Sequence, residues 1–349
     1  MRNISKLEIF LEQAIDIQFK VYLPLTCFIG LTGNAMVWLL IQNHRTLKRF
    51  PSNVYLLAMA SCSSVFLASL LLTWAETLAQ WSIHGRSNWG CKLLTFLAHT
   101  CDFTSVWLIV FVCFERFRLM KWPRRATSVE RARLHVLGLL MFASLYNSWI
   151  LVVATTNESD QCDISEGYLV VYKIFNTVET FLCIVMPAVL ISVLNTSCIH
   201  LLRAYMRYQP VKPNVTFKQQ RTSLDSGTLT MSLTTQATAA EDGRQKPTQR
   251  IRSAELQLTK TLLVVTSAFI LLNLPNYVFR VIYAFGEGWP AYDNVSFSIV
   301  RLVAYTLYYT HHACLFYLYI FYSPQMKKQL LPTATKLLEC YCLKTAPDE

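Results

Sequence analysis

The sequence has no His-Glu-x-x-His pair, no glycine loop of the phosphate-binding kind and no group of residues that reads as nucleophile, base and acid together. Zinc-dependent hydrolysis, nucleotide hydrolysis and acyl transfer therefore lack the side chains they need, and the chain is expected to be neither an enzyme nor the holder of a cofactor. No motif recurs between its halves, as the internal repeats of many transporters would require. The opening segment MRNISKLEIFLEQAIDIQF is too polar for a signal peptide, so the first apolar stretch is expected to act as an uncleaved insertion signal.

What the chain has is apolar surface. Its 349 residues are 53% hydrophobic and its mean hydropathy is positive, which points to a membrane protein if the apolar residues fall in long runs. Seven runs are long enough to cross a bilayer as helices, at about 21–42, 54–78, 93–114, 134–154, 168–202, 257–283 and 297–322. The fourth is interrupted by Asn147. The net charge of +11 is distributed between these spans, so it reads as topology, and no nucleic-acid partner is expected. His44, Arg45, Lys48 and Arg49 follow the first run, and six Arg or Lys against one acid follow the third. Ten against four lie in 203–260, and Lys327 and Lys328 follow the seventh. The opposite loops carry Glu158, Asp160, Asp163, Glu166, Glu287 and Asp293. Positive residues stay cytoplasmic, which puts the N-terminus outside and the C-terminus inside a plasma-membrane protein. The sequons at Asn3, Asn157 and Asn294 fall on the segments expected outside and are glycosylation candidates.

The expected organisation is an extracellular N-terminus (1–20), a bundle of seven transmembrane helices (21–323) and a short interfacial helix with a cytoplasmic tail (324–349). A polar third cytoplasmic loop, 203–256, is too poor in large apolar residues to form a core of its own. Beyond the last span, SPQMKKQLLPTATKLLECYC alternates Lys with Leu and Met, and its first half reads as a helix lying along the membrane. Cys340 and Cys342 beside it are candidates for palmitoylation, or stay as reduced thiols. Seven further cysteines, at 27, 62, 101, 113, 183, 198 and 314, lie within apolar spans and need no role beyond packing.

The stretch CKLLTFLAHTCDFTSVWLIVFVCFERFR, residues 91–118, organises the rest. A cysteine begins it and the pair Glu115-Arg116 closes it. Its spacing resembles that of the third helix of rhodopsin-type (class A) G-protein-coupled receptors, with Glu115-Arg116-Phe117 standing where that family has Asp-Arg-Tyr. Gly33-Asn34 with Val37 resembles the family's first-helix motif. Without any family, Asn34 is a polar group in hydrocarbon that needs partners, and Gly33 lets a neighbouring helix approach. Pro187 and Pro275 match the prolines of helices five and six, where each removes a backbone donor and kinks the helix. Phe269 lies six residues before Pro275, as in the family, and Tyr319 is its terminal helix-seven tyrosine. Cys91 and Cys162 are the only cysteines expected on the oxidising side, which favours a disulfide between helix three and the second outer loop, a bond the family also has. The resemblance implies that Arg116 pairs with Glu115 and Glu255 at rest and is released to a heterotrimeric G protein when helix six moves. Arrestin and a receptor kinase are further partners it implies, with membrane lipid around the bundle.

Departures from the family pattern are numerous. Ser63 stands where the family has an acid in helix two, Asn195 replaces a tyrosine in helix five, and Leu272-Asn273-Leu274-Pro275 replaces Cys-Trp-x-Pro. Leu315-Phe316-Tyr317-Leu318-Tyr319 replaces Asn-Pro-x-x-Tyr. A light sensor would need a Schiff-base lysine in 297–322, which has none. Candidates for ligand contact are His99, Asp102, Glu179, Arg280, Arg301 and His311. Asp102 can serve either a deep cation contact or an internal polar network. Charges of both signs in an apolar cleft suit a peptide better than a lipid. The expected function is therefore a receptor for an extracellular peptide, resembling the neuropeptide receptors of invertebrates. A non-coupling scaffold or decoy of the same fold is the alternative, and a transporter comes third.

Overall fold

The computed structural model describes residues 6–79, 87–122, 127–157, 162–207, 263–282, 295–322 and 326–335. They form an all-α bundle of seven long helices. Six are apolar and long enough to cross a membrane. The seventh, Val295–Tyr322, has 28 residues, enough for about 42 Å of helix. The chain is a multi-pass membrane protein.

Helix α1 runs through Lys6–Ile17, a π-helical turn at Gln18–Tyr22, and Leu23–Asn43. It therefore starts well before the apolar span expected at 21. The polar early turns are held by α7 (Val295–Tyr322): Gln18 Nε2 donates to Leu302 O at 3.1 Å and to Thr306 Oγ1 at 2.7 Å, and Tyr22 Oη donates to Thr306 O at 3.1 Å. Helices α2 (Pro51–Ala79) and α3 (Asn88–Lys121) are unbroken. The N-cap of α3 is Ser87, whose Oγ accepts from Gly90 N.

Asn147 marks a real interruption in α4, which comprises Val129–Asn147 and Ile150–Val153. Its side-chain Nδ2 donates back to Ala143 O at 2.8 Å, and Ser148 N bonds Leu145 O, so the helix tightens for a turn before resuming. Strands β1 (Ala154–Thr156) and β2 (Cys162–Ile164) pair antiparallel, Thr156 opposite Cys162.

Helix α5 comprises Glu166–Tyr168, Leu169–Thr180 and Met186–Arg207, with a π-helical turn at Phe181–Val185 just before Pro187. A proline lacks the donor that the preceding turn requires, and a π-turn is one way for the helix to absorb that loss. Helix α6 is Leu263–Ile282, and α8 spans residues 326–335. Helix α8 is anchored by the buried Met326 and by a 3.0 Å hydrogen bond between Thr333 Oγ1 and His44 at the end of α1. The core lies along α3, whose Phe103, Val106, Leu108, Ile109 and Val112 are all nearly inaccessible.

Candidate functional site

Two sites were expected, one at each end of α3. At the disulfide end, Cys91 and Cys162 are joined, with Cα atoms 5.4 Å apart. The bond lies in a small cluster with Ile150 and Ala154, fixing the β1–β2 hairpin to the top of α3.

Beneath the hairpin a cavity of about 310 Å³ opens between α2, α3, α6 and α7, with Phe66, Ala98, His99, Asp102, Arg280 and Tyr308 among its walls. Glu179 of α5, 1% exposed, lies behind two of these walls, against His99 and Arg280. His99 Nδ1 lies 2.9 Å from Glu179 Oε1, and Arg280 Nη2 donates to Asn176 Oδ1 at 2.8 Å and to Glu179 Oε2 at 3.4 Å. Asn176 and Glu179 share one face of α5 because they are three residues apart. The Arg280 guanidinium also sits 5.5 Å from the centre of the Tyr277 ring, within cation–π range. One cation thus holds a buried carboxylate, and three helices close around it.

Asp102 forms the floor. Tyr277 Oη donates to its Oδ2 at 3.1 Å, and His312 Nε2 lies 3.5 Å from its Oδ1. Among the described residues neither Asp102 Oδ1 nor His312 Nε2 has a hydrogen-bond partner. His312 stacks on Phe66 at 4.1 Å, with its Nδ1 3.5 Å from Ser63 Oγ. A carboxylate on α3 is therefore set against α6 and α7, and α2 is reached through the imidazole.

His311 does not reach this cavity. It is buried against Phe269, with ring centroids 5.1 Å apart, and is absent from the cavity walls. Arg301 opens instead onto a neighbouring cavity of about 460 Å³ beside the first turns of α1. The two cavities share Leu70, Thr73, Tyr305 and Tyr309 in their walls.

At the other end of α3, Glu115 and Arg116 are 8% and 5% exposed. They are packed into the bundle, where a snorkelling pair would stand in the headgroups. Arg116 Nη2 donates to Ser52 Oγ at the start of α2. Asn195 of α5 donates to Thr266 Oγ1 of α6 at 2.7 Å. Asn273 is fully buried and its Nδ2 bonds Phe269 O, back along its own helix. Gly33 lies against Phe316, Asn34 is fully buried, and Pro275 and Tyr319 lie on α6 and α7. Asn157 follows strand β1. Glu255, Asn3, Asn294, Cys340 and Cys342 lie outside the described residues.

Sequence reasoning passed over Tyr277, Asn176 and Ser52, and of the neighbouring His311 and His312 it named His311 as the ligand contact. A signal existed for the first two: Tyr277 precedes Arg280 by three residues and Asn176 precedes Glu179 by three, each on the same helix face. Ser52 carried none.

A ligand-sized cavity at one end of a seven-helix bundle and a buried Glu-Arg pair at the other describe a transmembrane receptor. The family model of the 7 transmembrane receptor (rhodopsin family) matches residues 33–318, and the chain belongs to that family, which is one of receptors and not of enzymes. Among curated proteins it is 24% identical to neuromedin-U receptor 2 of Mus musculus over 315 residues, 86% of this chain and 70% of the relative. It is 25% identical to somatostatin receptor type 4 of Rattus norvegicus over 279 residues, 77% of this chain and 62% of the relative. The B1 bradykinin receptor of Rattus norvegicus is 28% identical over 149 residues, 38% of this chain and 42% of that one.

Proposed function

We propose that this chain is a receptor for an extracellular peptide and that it signals through a heterotrimeric G protein by movement of α6. The observation that carries the reading is the floor of the cavity, where Asp102 of α3 accepts from Tyr277 of α6 and faces His312 of α7. A ligand that enters above this carboxylate and alters the Arg280–Glu179 contact acts on groups belonging to the helix expected to move. Such a ligand shifts the bundle only by binding its two packings unequally. A mixed lining of aromatic, histidine, carboxylate and guanidinium groups suits a peptide with polar side chains. The neuromedin-U and somatostatin receptors among its relatives are neuropeptide receptors, which favours the same class.

In this reading the disulfide end faces the oxidising exterior and the Arg116 end faces the cytoplasm, in agreement with the excess of basic residues around 44–49 and 118–133. Arg116, tied to Ser52 at rest, is the residue released to the G protein. Arrestin and a receptor kinase would share that surface.

The test is G-protein nucleotide exchange in membranes holding the receptor, challenged with pooled neuropeptides, with Arg116→Ala at equal surface expression as control. Peptide-dependent exchange lost on substitution supports the reading. Exchange that survives Arg116→Ala removes that residue from coupling, and peptide binding without exchange points to a non-coupling receptor.

A further inference from the structure

We infer that Arg301, in the cavity beside the first turns of α1, binds an acidic group of the ligand: a C-terminal carboxylate or an Asp or Glu side chain. The inference rests on the reading of this chain as a peptide receptor and adds the charge that its peptide must carry. The cavity encloses about 460 Å³ between α1, α2, α6 and α7. It exists because α1 begins early. Ile15, Gln18 and Phe19, all ahead of the first apolar run, form one wall, and Gln18 Nε2 fixes that wall to Leu302 O, on the residue after Arg301.

The two cavities differ in how their cations are satisfied. Arg280, in the wall of the first, already donates to Asn176 and Glu179. Arg301 is the only charged residue among the walls of the second, and among the described residues no carboxylate lies within ion-pair distance of it. Asp16, on the same early turns of α1, is paired with Lys20 at 2.8 Å. A guanidinium offers its donors in a fixed fork that matches a carboxylate in both charge and shape. Around Arg301 stand Phe19, Trp74, Tyr305 and Tyr309. An inorganic anion leaves those rings uncovered, whereas a peptide brings apolar surface to them beside its acid. Tyr305 and Tyr309 also line the first cavity, so one ligand can run from one to the other. From Arg301 to Tyr308 is seven residues of α7, about 10.5 Å of helix, which about three residues of extended peptide would span. The acid therefore falls about three residues from the part of the ligand that lies beside Tyr308.

The experiment is affinity selection on the purified full-length receptor, with retained peptides identified by mass spectrometry. The probes are four pools of N-acetylated decapeptides randomised over uncharged residues. One is amidated and uncharged, one has a free C-terminal carboxylate, one is amidated with a single aspartate, and one is amidated with a single lysine. The receptor should retain the carboxylate or the aspartate pool about tenfold better than the uncharged one, as one charge-assisted hydrogen bond to an exposed cation allows. Whichever of the two is preferred identifies the source of the acid. Arg301→Gln should remove the preference, and Arg301→Lys should restore part of it. Arg301→Glu should reverse it, lowering both acidic pools and raising the lysine pool, an outcome that misfolding cannot produce. Ile15→Glu, which places a carboxylate in the cavity wall and leaves Arg301 intact, should also weaken the acidic pools. Peptides retained with no preference for an acid overturn the inference and leave the peptide reading standing. A preference that survives Arg301→Gln overturns it too, since the acid then binds elsewhere. Retention of no pool overturns the inference together with the reading on which it rests.

Discussion

The ring of Phe316 on α7 rests on Gly33 of α1: a methyl group added at Gly33 would stand 3.1 Å from Phe316 Cβ and 3.3 Å from its Cδ1. One turn earlier the approach is closer still. A Cβ at Gly30 would meet Leu67 Cδ1 at 2.5 Å and the backbone Cα of Ala313 at 2.9 Å. Two glycines one turn apart thus let α1 lie on α7, as small residues do at helix interfaces in membranes.

Gly30→Ala and Gly33→Ala should therefore differ. At Gly33 the nearest atom is Phe316 Cβ at 3.1 Å, which no side-chain rotation moves, but a shift of a few tenths of an ångström between the helices relieves it, so the loss should be smaller than at Gly30. Phe316→Leu keeps that Cβ and should relieve only the ring contact. At Gly30 the obstacle includes backbone, and the overpacking should cost about 1–3 kcal/mol. Thermal unfolding of the purified receptor, followed by a dye that reacts with the buried cysteines, should show the larger drop for Gly30→Ala. Equal drops would mean that the α1–α7 contact is looser than these distances state.

Arg280 and Glu179 make a second testable pair. Glu179 is 1% exposed and meets only His99 and Arg280 as ion-pair partners among the described residues. Arg280→Ala leaves a buried carboxylate with one weak partner, which should cost about 3 kcal/mol. Glu179→Gln keeps an acceptor and should be milder. In a double-mutant cycle the loss from Arg280→Ala should shrink when Glu179 is already Gln, because the stranded charge has gone. Additive losses would show that the two residues do not act on one another.

Tyr277 is the α6 contact of the cavity floor. Tyr277→Phe keeps the ring and removes the donor to Asp102 Oδ2. Losing a hydrogen bond to a buried charged group costs about 1.5–3 kcal/mol. If the floor holds α6 in the resting packing, ligand-independent nucleotide exchange should rise in Tyr277→Phe and fall back when Asp102→Asn is added. Unchanged basal exchange in both would leave Asp102 a purely structural group.

How much of this was legible in the sequence follows from range. The seven helices were visible because each is set by its own apolar run, and the interruption at Asn147 was visible because one polar side chain rewrites one turn. The early start of α1 was not, since its polar turns are held by Leu302 and Thr306, far along the chain. The same holds at the cavity. Asp102, His99, Glu179 and Arg280 could be named as ionisable groups in hydrocarbon. That Arg280 would face Glu179 while His311 turned towards Phe269 depends on how α3, α5, α6 and α7 rotate against one another. Adjacent histidines point about 100° apart on a helix, and of the two His311 was named as the ligand contact; it is His312 that lies against Asp102.

The disulfide supplies the last prediction. Cys91 and Cys162 are 71 residues apart, and closing a loop of that size restricts the unfolded chain by an amount worth about 4 kcal/mol, within a measured range of about 2–5 kcal/mol. In the folded receptor the same bond holds the β1–β2 hairpin over α3, with Thr95 Oγ1 3.5 Å from Cys162 Sγ. Cys91→Ser should reduce surface expression and lower the unfolding temperature, and reduction of the unmodified receptor with dithiothreitol should lower it by a similar amount. Dithiothreitol should then have no further effect on Cys91→Ser, because the other cysteines within the described helices are free thiols. A second drop on reduction would reveal another disulfide; no drop in either case would mean that the helices alone fix the top of the bundle.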